Sequence, residues 1–98
     1  MNTDARQLAA FRATLDGLDE QLVQLLGRRY AICRDVARFK KQHRIPMMQS
    51  GRVAAVKDRC ARLAVANDIE PGFMRELYDL IIKESCRLED EIIGPAST

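Results

Sequence analysis

Apolar residues recur along the first 40 residues in alternating steps of three and four, without an intervening proline. The members of this series, called the seam below, are Leu8, Phe11, Leu15, Leu18, Leu22, Leu25, Ile32, Val36 and Phe39. The spacing predicts one long amphipathic helix from about Asp4 to His43, roughly 58 Å long at 1.5 Å per residue. Pro46 is expected to end it, because proline disfavours helix at the preceding residue. So long a helix exceeds what this short chain can cover, so the seam requires a partner.

Two shorter helical patterns follow. The apolar positions of the second are Val53, Val56, Cys60 and Leu63, and those of the third are Phe73, Leu77, Ile81, Leu88 and Ile92. The second helix is predicted from about Ser50, its N-cap, to Ala66, with Asn67 as its stop. Pro71 fits the first turn of the third, which runs to Gly94. No strand-like alternation occurs, so we expect an all-α fold in a single domain over residues 1–98.

A positive charge interrupts the seam. Arg29 stands between Leu25 and Ile32, where the pattern calls for leucine. A buried cation needs a partner, and the pattern leaves two open: an acid of the third helix, or the carboxylate of a ligand. Lys40 returns to the same face three turns later, about 16 Å away, although such a lysine by itself is more typical of a solvated surface.

Arg12 also flanks the seam, but it lies 17 residues before Arg29 and on a different side of the helix. The two cannot share a pocket within one chain. Arg12 is therefore either a surface arginine, which the pattern alone favours, or part of a second site formed with an antiparallel partner.

Polar residues also interrupt the apolar face of the third helix. Ser85 and Glu89 are one turn apart and align with Ile81 and Ile92, so both face the core. Glu89 either neutralises Arg29 or acts as the acid of a site. Arg52, at the start of the second helix, is either an exposed residue beside the positive end of the helix dipole or a neighbour of a bound anion.

Composition narrows the function classes. The 98 residues carry a net charge of +2, and neither this balance nor the 5% of aromatic residues favours nucleic-acid binding. The segment from Arg28 to Arg44 is nevertheless strongly basic, which favours an anionic ligand. Three distant cysteines and one histidine predict reduced thiols and no metal site. No apolar run approaches the roughly 18 residues of a membrane helix, and the first residues are charged, so we expect a cytoplasmic protein that does not bind membranes.

A set of motifs resembles the all-helical chorismate mutase family over nearly the whole chain. The motifs are Phe11-Arg12, Leu15, Leu18-Asp19, Leu25-Leu26, Arg28-Arg29, Val36-Ala37, Lys40, Ile45-Pro46, Arg52, and Leu80-Ile81-Ile82 with Ser85. The resemblance implies a three-helix protomer and an intertwined homodimer with paired long helices. It further implies two equivalent sites for a small dicarboxylate substrate, and the 3,3-rearrangement of chorismate to prephenate without metal or cofactor.

The resemblance also implies residue roles. Arg29 and Arg12 of the partner subunit would hold the two substrate carboxylates, and Lys40 would reach a carboxylate and the ether oxygen. Arg52 and Ser85 would line the pocket. Glu89 occupies the position where many relatives have a glutamine that donates to the ether oxygen.

Three positions depart from the ordinary mutases: Gln49 and Val53 stand where acids are typical near the ring's 4-hydroxyl, and Glu89 replaces glutamine. The segments around Ile45-Pro46 and Cys86-Arg87 most resemble 4-amino-4-deoxychorismate mutases, so this amino substrate is expected before chorismate itself. Arg52-Val53-Ala54-Ala55 is also similar to isochorismate pyruvate-lyases, which leaves that reaction as the alternative. A non-enzymatic coiled-coil module is disfavoured, because Arg29 would weaken helix pairing.

Overall fold

The computed structural model describes residues 3–46 and 51–94, which form three helices: α1 (Thr3–His43), α2 (Arg52–Ala66) and α3 (Pro71–Ile93). No strand occurs in these two ranges. The predicted all-α class and the long first helix are confirmed. None of the described helices is long and apolar enough to cross a bilayer.

The end of α1 is fixed by its backbone. Arg44 has a left-handed conformation (φ 56°), and the Ile45 N–H donates to the Lys40 carbonyl at 2.9 Å. This 6→1 hydrogen bond satisfies a carbonyl that the helix itself leaves unpaired. The end predicted from Pro46 is therefore correct, and Lys40 lies in the turn that the bond closes.

The predicted start of α2 was wrong. The helix begins at Arg52, and its N-cap is Gly51, whose φ of 82° is left-handed and which provides no side-chain cap. This non-helical backbone stops the helix from extending towards Ser50, and glycine adopts it without a Cβ penalty. Ser50 itself lies outside the described residues. Asn67 is the C-cap as predicted, and its side-chain amide donates to the Leu63 carbonyl at 2.8 Å.

Pro71 is the first residue of α3, as expected, and Gly94 follows its last turn. The N-cap is Glu70, whose carboxylate accepts a hydrogen bond from the Phe73 N–H at 2.7 Å. The sequence did not indicate this cap, because glutamate is a less usual capping residue than serine, threonine, aspartate or asparagine.

The chain divides into two compact units, one comprising α1 up to Ile32 and the other everything from Cys33 onward. In the second unit α2 packs against α3, and the ion pairs Lys57–Asp79 (2.6 Å) and Arg75–Asp58 (2.9 Å) link the two helices. The buried apolar side chains are Ala37, Cys60, Ala61, Ala64, Ile81 and Leu88. Phe73, expected on the buried face of the third helix, is exposed in the single chain.

The seam of α1 is exposed along its whole length. Its nine apolar residues each keep between 39% and 61% of their surface accessible. The expectation that this chain leaves the seam uncovered is therefore confirmed.

Candidate active site

A cation and an acid meet between α1 and α3. Lys40 Nζ lies 3.7 Å from Glu89 Oε1, and the two side chains are only 16% and 11% exposed. The alternative of a solvated Lys40 is therefore wrong. A basic and an acidic side chain, both largely withdrawn from water, therefore lie close enough to interact.

Ser85 lies one turn before Glu89 and is also buried, as predicted. Its hydroxyl donates to the Ile81 carbonyl at 3.0 Å, and the Cys33 thiol of α1 lies 3.5 Å from the same oxygen, to which it donates. The hydroxyl oxygen thus acts as donor and acceptor at once, which fixes its orientation.

The spacing of residues on α1 explains how Lys40 reaches this position. Cys33, Ala37 and Lys40 follow steps of four and three, so they lie on one face of the helix. Ala37 is fully buried. The seam residues Val36 and Phe39 lie on another side of the helix and stay exposed.

Lys41 forms a further contact between these helices. Its Nζ donates to the Ile92 carbonyl at 3.1 Å, in the last turn of α3. Sequence reasoning missed both Lys41 and Cys33. The heptad step from Cys33 to Lys40 was a usable signal, whereas nothing in the apolar pattern distinguishes Lys41 from an ordinary surface lysine.

Negative charge around Glu89 affects the neighbouring thiol. Burial raises the pKa of Cys86, and the carboxylates of Glu89 and Asp90 raise it further. The thiol therefore holds its proton at neutral pH and is a poor nucleophile. On the exposed side of α3, the Arg87 guanidinium binds both oxygens of Glu84 at 2.7 Å and lowers the pKa of that carboxyl.

The first unit contains two of the predicted cations. Arg29 is half-buried and lines an open concavity of about 420 Å³ together with Leu25, Arg28, Ala31 and Ile32. Arg12 is exposed. An exposed arginine on an uncovered helix is available to a second chain.

The remaining predicted site residues belong to the start of α2. Arg52 is exposed at the first helical position, and Val53 is half-buried beside it. Gln49 lies outside the described residues. Within residues 3–46 and 51–94 no cluster of three histidine, cysteine or carboxylate side chains has the arrangement of a metal site.

The family is decided by comparison with known sequences. The sequence profile described as chorismate mutase type II matches residues 11–90. The chain belongs to the chorismate mutase type II family. The matched range contains Arg29, Lys40, Arg52, Ser85, Glu89 and every seam residue except Leu8. The family expected from the motifs is thereby confirmed, together with its mutase class.

Two relatives within this family are named as 4-amino-4-deoxychorismate mutases. The chain is 43% identical over 95 residues to that of Streptomyces venezuelae, covering 97% of this chain and 92% of the relative. It is 46% identical over 87 residues to that of Streptomyces pristinaespiralis, covering 89% and 67%. An isochorismate pyruvate lyase of Pseudomonas aeruginosa is 36% identical over 80 residues, covering 81% and 77%.

In this chorismate mutase type II chain, three predicted site residues lie together: Lys40, Ser85 and Glu89. The expectation that Ser85 and Glu89 face the core is confirmed. Glu89, expected either to neutralise Arg29 or to act as the acid of a site, is paired with Lys40.

Proposed function

We propose that this protein catalyses the 3,3-rearrangement of 4-amino-4-deoxychorismate to 4-amino-4-deoxyprephenate. The observation that carries the proposal is the shielded Lys40–Glu89 pair beside the buried hydroxyl of Ser85. Membership of the chorismate mutase type II family supports the reaction class, and the names of the two Streptomyces relatives support the amino substrate.

The chemistry explains the need for cations and donors rather than a nucleophile. In one step the ether C–O bond breaks while a new C–C bond forms, and no proton changes place. The substrate is a flexible dicarboxylate that must be held compactly while negative charge develops on the ether oxygen. Fixed groups aimed at that oxygen stabilise the transition state more than the ground state.

We assign Lys40 to the ether oxygen and one carboxylate, and Arg29 to a carboxylate through its planar fork of donors. Ser85 and Arg52 line the pocket. Glu89 donates to the ether oxygen when it holds its proton, whereas its ionised form would repel the developing charge. Gln49 and Val53, neither of which is acidic, face the C4 substituent in this proposal.

The site requires a second subunit in this proposal. Arg12 of the partner subunit binds the other carboxylate, and the partner's long helix covers the seam. The exposed seam supports a homodimer, because its nine apolar residues each keep between 39% and 61% of their surface accessible, and a second copy that covers them removes this apolar surface from water.

The chain acts as one domain over residues 1–98 in this proposal. The unit that ends at Ile32 is a single helix with an exposed apolar seam, and a lone helix of this kind is marginal in water. We place the protein in the cytoplasm, which the reduced state of Cys33, Cys60 and Cys86 supports.

Isochorismate pyruvate lyase is the second candidate. It is supported by the run Arg52-Val53-Ala54-Ala55 and by the Pseudomonas relative at 36% identity. A cationic pocket without a nucleophile serves that elimination as well, so the distinction depends on the substrate.

A comparison of three substrates tests the proposal. The purified protein is given 4-amino-4-deoxychorismate, chorismate and isochorismate separately, and products are followed by proton NMR, with Lys40→Met as the catalytically impaired control. The highest kcat/KM is expected with the amino substrate. Pyruvate release from isochorismate as the fastest reaction would establish the lyase, and no turnover of any substrate would refute both.

A further inference from the structure

Lys41 has no role in the proposed chemistry, yet it connects α1 to α3. Its Nζ donates to the Ile92 carbonyl at 3.1 Å. Ile92 belongs to the last turn of α3, where carbonyls have no partner within the helix. The last turn of α3 contains no basic residue of its own, so Lys41 supplies from α1 the positive charge that favours a helix C-terminus.

This contact lies in register with the candidate catalytic pair. Lys40 and Lys41 are consecutive on α1, and their partners Glu89 and Ile92 are one turn apart on α3. The two contacts therefore join the same two helices, from adjacent residues of α1 to successive turns of α3. One of them is an ion pair at 3.7 Å, and the other is a hydrogen bond to a backbone atom.

Both contacts lie near helix ends. α1 ends at His43, and α3 ends at Ile93, ahead of Gly94 with its left-handed φ of 87°. Terminal turns open more readily than helix centres, because fewer hydrogen bonds hold them. A bond to the Ile92 carbonyl restrains the turn that follows Glu89, and so limits how far the Glu89 carboxyl moves from Lys40.

We infer that Lys41 is a positioning residue, which holds the last turn of α3 against α1 and thereby keeps Glu89 in place beside Lys40. This inference rests on the proposed function, because a kinetic effect is expected only if Glu89 acts on the substrate. If the Glu89 carboxyl is displaced, the stabilisation of the transition state weakens more than the binding of the substrate. The loss should therefore appear in kcat.

The kinetic test compares three variants of the 98-residue chain with 4-amino-4-deoxychorismate as substrate. Lys41→Met keeps the apolar stem but removes the donor, and should lower kcat about tenfold with KM changed less than about twofold. Lys41→Arg retains a cationic donor and should keep most of the activity. Lys83→Met, at an exposed lysine of α3, removes an equal charge and should leave kcat unchanged.

Hydrogen exchange provides a readout that does not depend on activity. Amides in the last turn of α3 should exchange several-fold faster in Lys41→Met than in the wild type or Lys41→Arg. Unchanged exchange, a rise in KM alone, or an equal kcat loss in the Met and Arg variants would overturn the inference. If exchange is faster in Lys41→Met but the wild-type protein turns over no substrate, the proposed function is refuted, and the role of Lys41 in holding the last turn of α3 still stands.

Discussion

Lys40 Nζ on α1 lies 3.7 Å from Glu89 Oε1 on α3, in a region nearly closed to solvent. A charge-assisted hydrogen bond is shorter, about 2.7–2.9 Å. The two groups are thus near enough to stabilise each other but do not form a tight ion pair. Such an arrangement suits the proposed site, in which both groups engage one ligand atom.

We predict that Glu89→Gln retains activity, because the ether oxygen takes a hydrogen-bond donor as negative charge develops on it, and the glutamine amide donates at every pH. The measurement is kcat against pH for both proteins, with Glu76→Gln, at an exposed carboxylate of α3, as the matched control.

A loss of activity in Glu89→Gln would support the other role of Glu89. If Glu89 acts ionised, as the structural partner of Lys40, Glu89→Gln should lower activity across the whole pH range. A folded Gln variant that is inactive at every pH would exclude the donor role.

We predict that Cys86 reacts slowly with iodoacetamide near pH 8.5, about the pKa of an ordinary thiol. Burial and the neighbouring carboxylates raise the pKa of Cys86, and the thiolate is the reactive form. Glu89→Gln removes one of these charges, lowers the pKa of Cys86 and should speed its alkylation several-fold, as measured by peptide mass spectrometry. Equal rates in the two proteins would show that Glu89 does not act on this thiol.

We predict that a charge in the seam dissociates the dimer. Leu22→Glu places a carboxylate where the partner helix is expected to pack, and should yield monomers at micromolar concentration in sedimentation velocity. Val23→Glu is the matched control, because Val23 is also exposed in the single chain but lies outside the seam. A dimeric Leu22→Glu protein, or a wild-type monomer that is fully active, would be inconsistent with the proposed assembly.

Much of the fold could be predicted from the sequence, because helical periodicity and proline report directly on backbone geometry. The bounds of α1 and α3 followed from the seam, Pro46 and Pro71. The start of α2 could not be predicted in this way, because the left-handed backbone conformation of Gly51 leaves no trace in the pattern of side chains. Phe73 is 54% exposed in the single chain, and its exposure likewise depends on how the helices pack, which periodicity does not report.

The candidate site was only partly predictable. Ser85 and Glu89 were recognised because they interrupt an apolar stripe. The burial of Lys40 and its pairing with Glu89 depend on the tertiary packing of α1 and α3, which no spacing rule specifies. The contact between Lys41 and the Ile92 carbonyl involves a backbone atom, and such contacts leave no sequence signature.

The central claim is that each site combines Arg29 and Lys40 of one chain with Arg12 of the other, and subunit mixing tests it most directly. Arg12→Ala and Arg29→Ala should each be nearly inactive as homodimers. After unfolding and refolding together in equal amounts, half of the dimers are mixed and each has one intact site, so about a quarter of wild-type activity should return. Arg29→Ala mixed with Lys40→Met is the control and should recover none, because both residues come from the same chain. Failure of Arg12→Ala and Arg29→Ala to complement, once subunit exchange is verified by mass, would contradict the shared site.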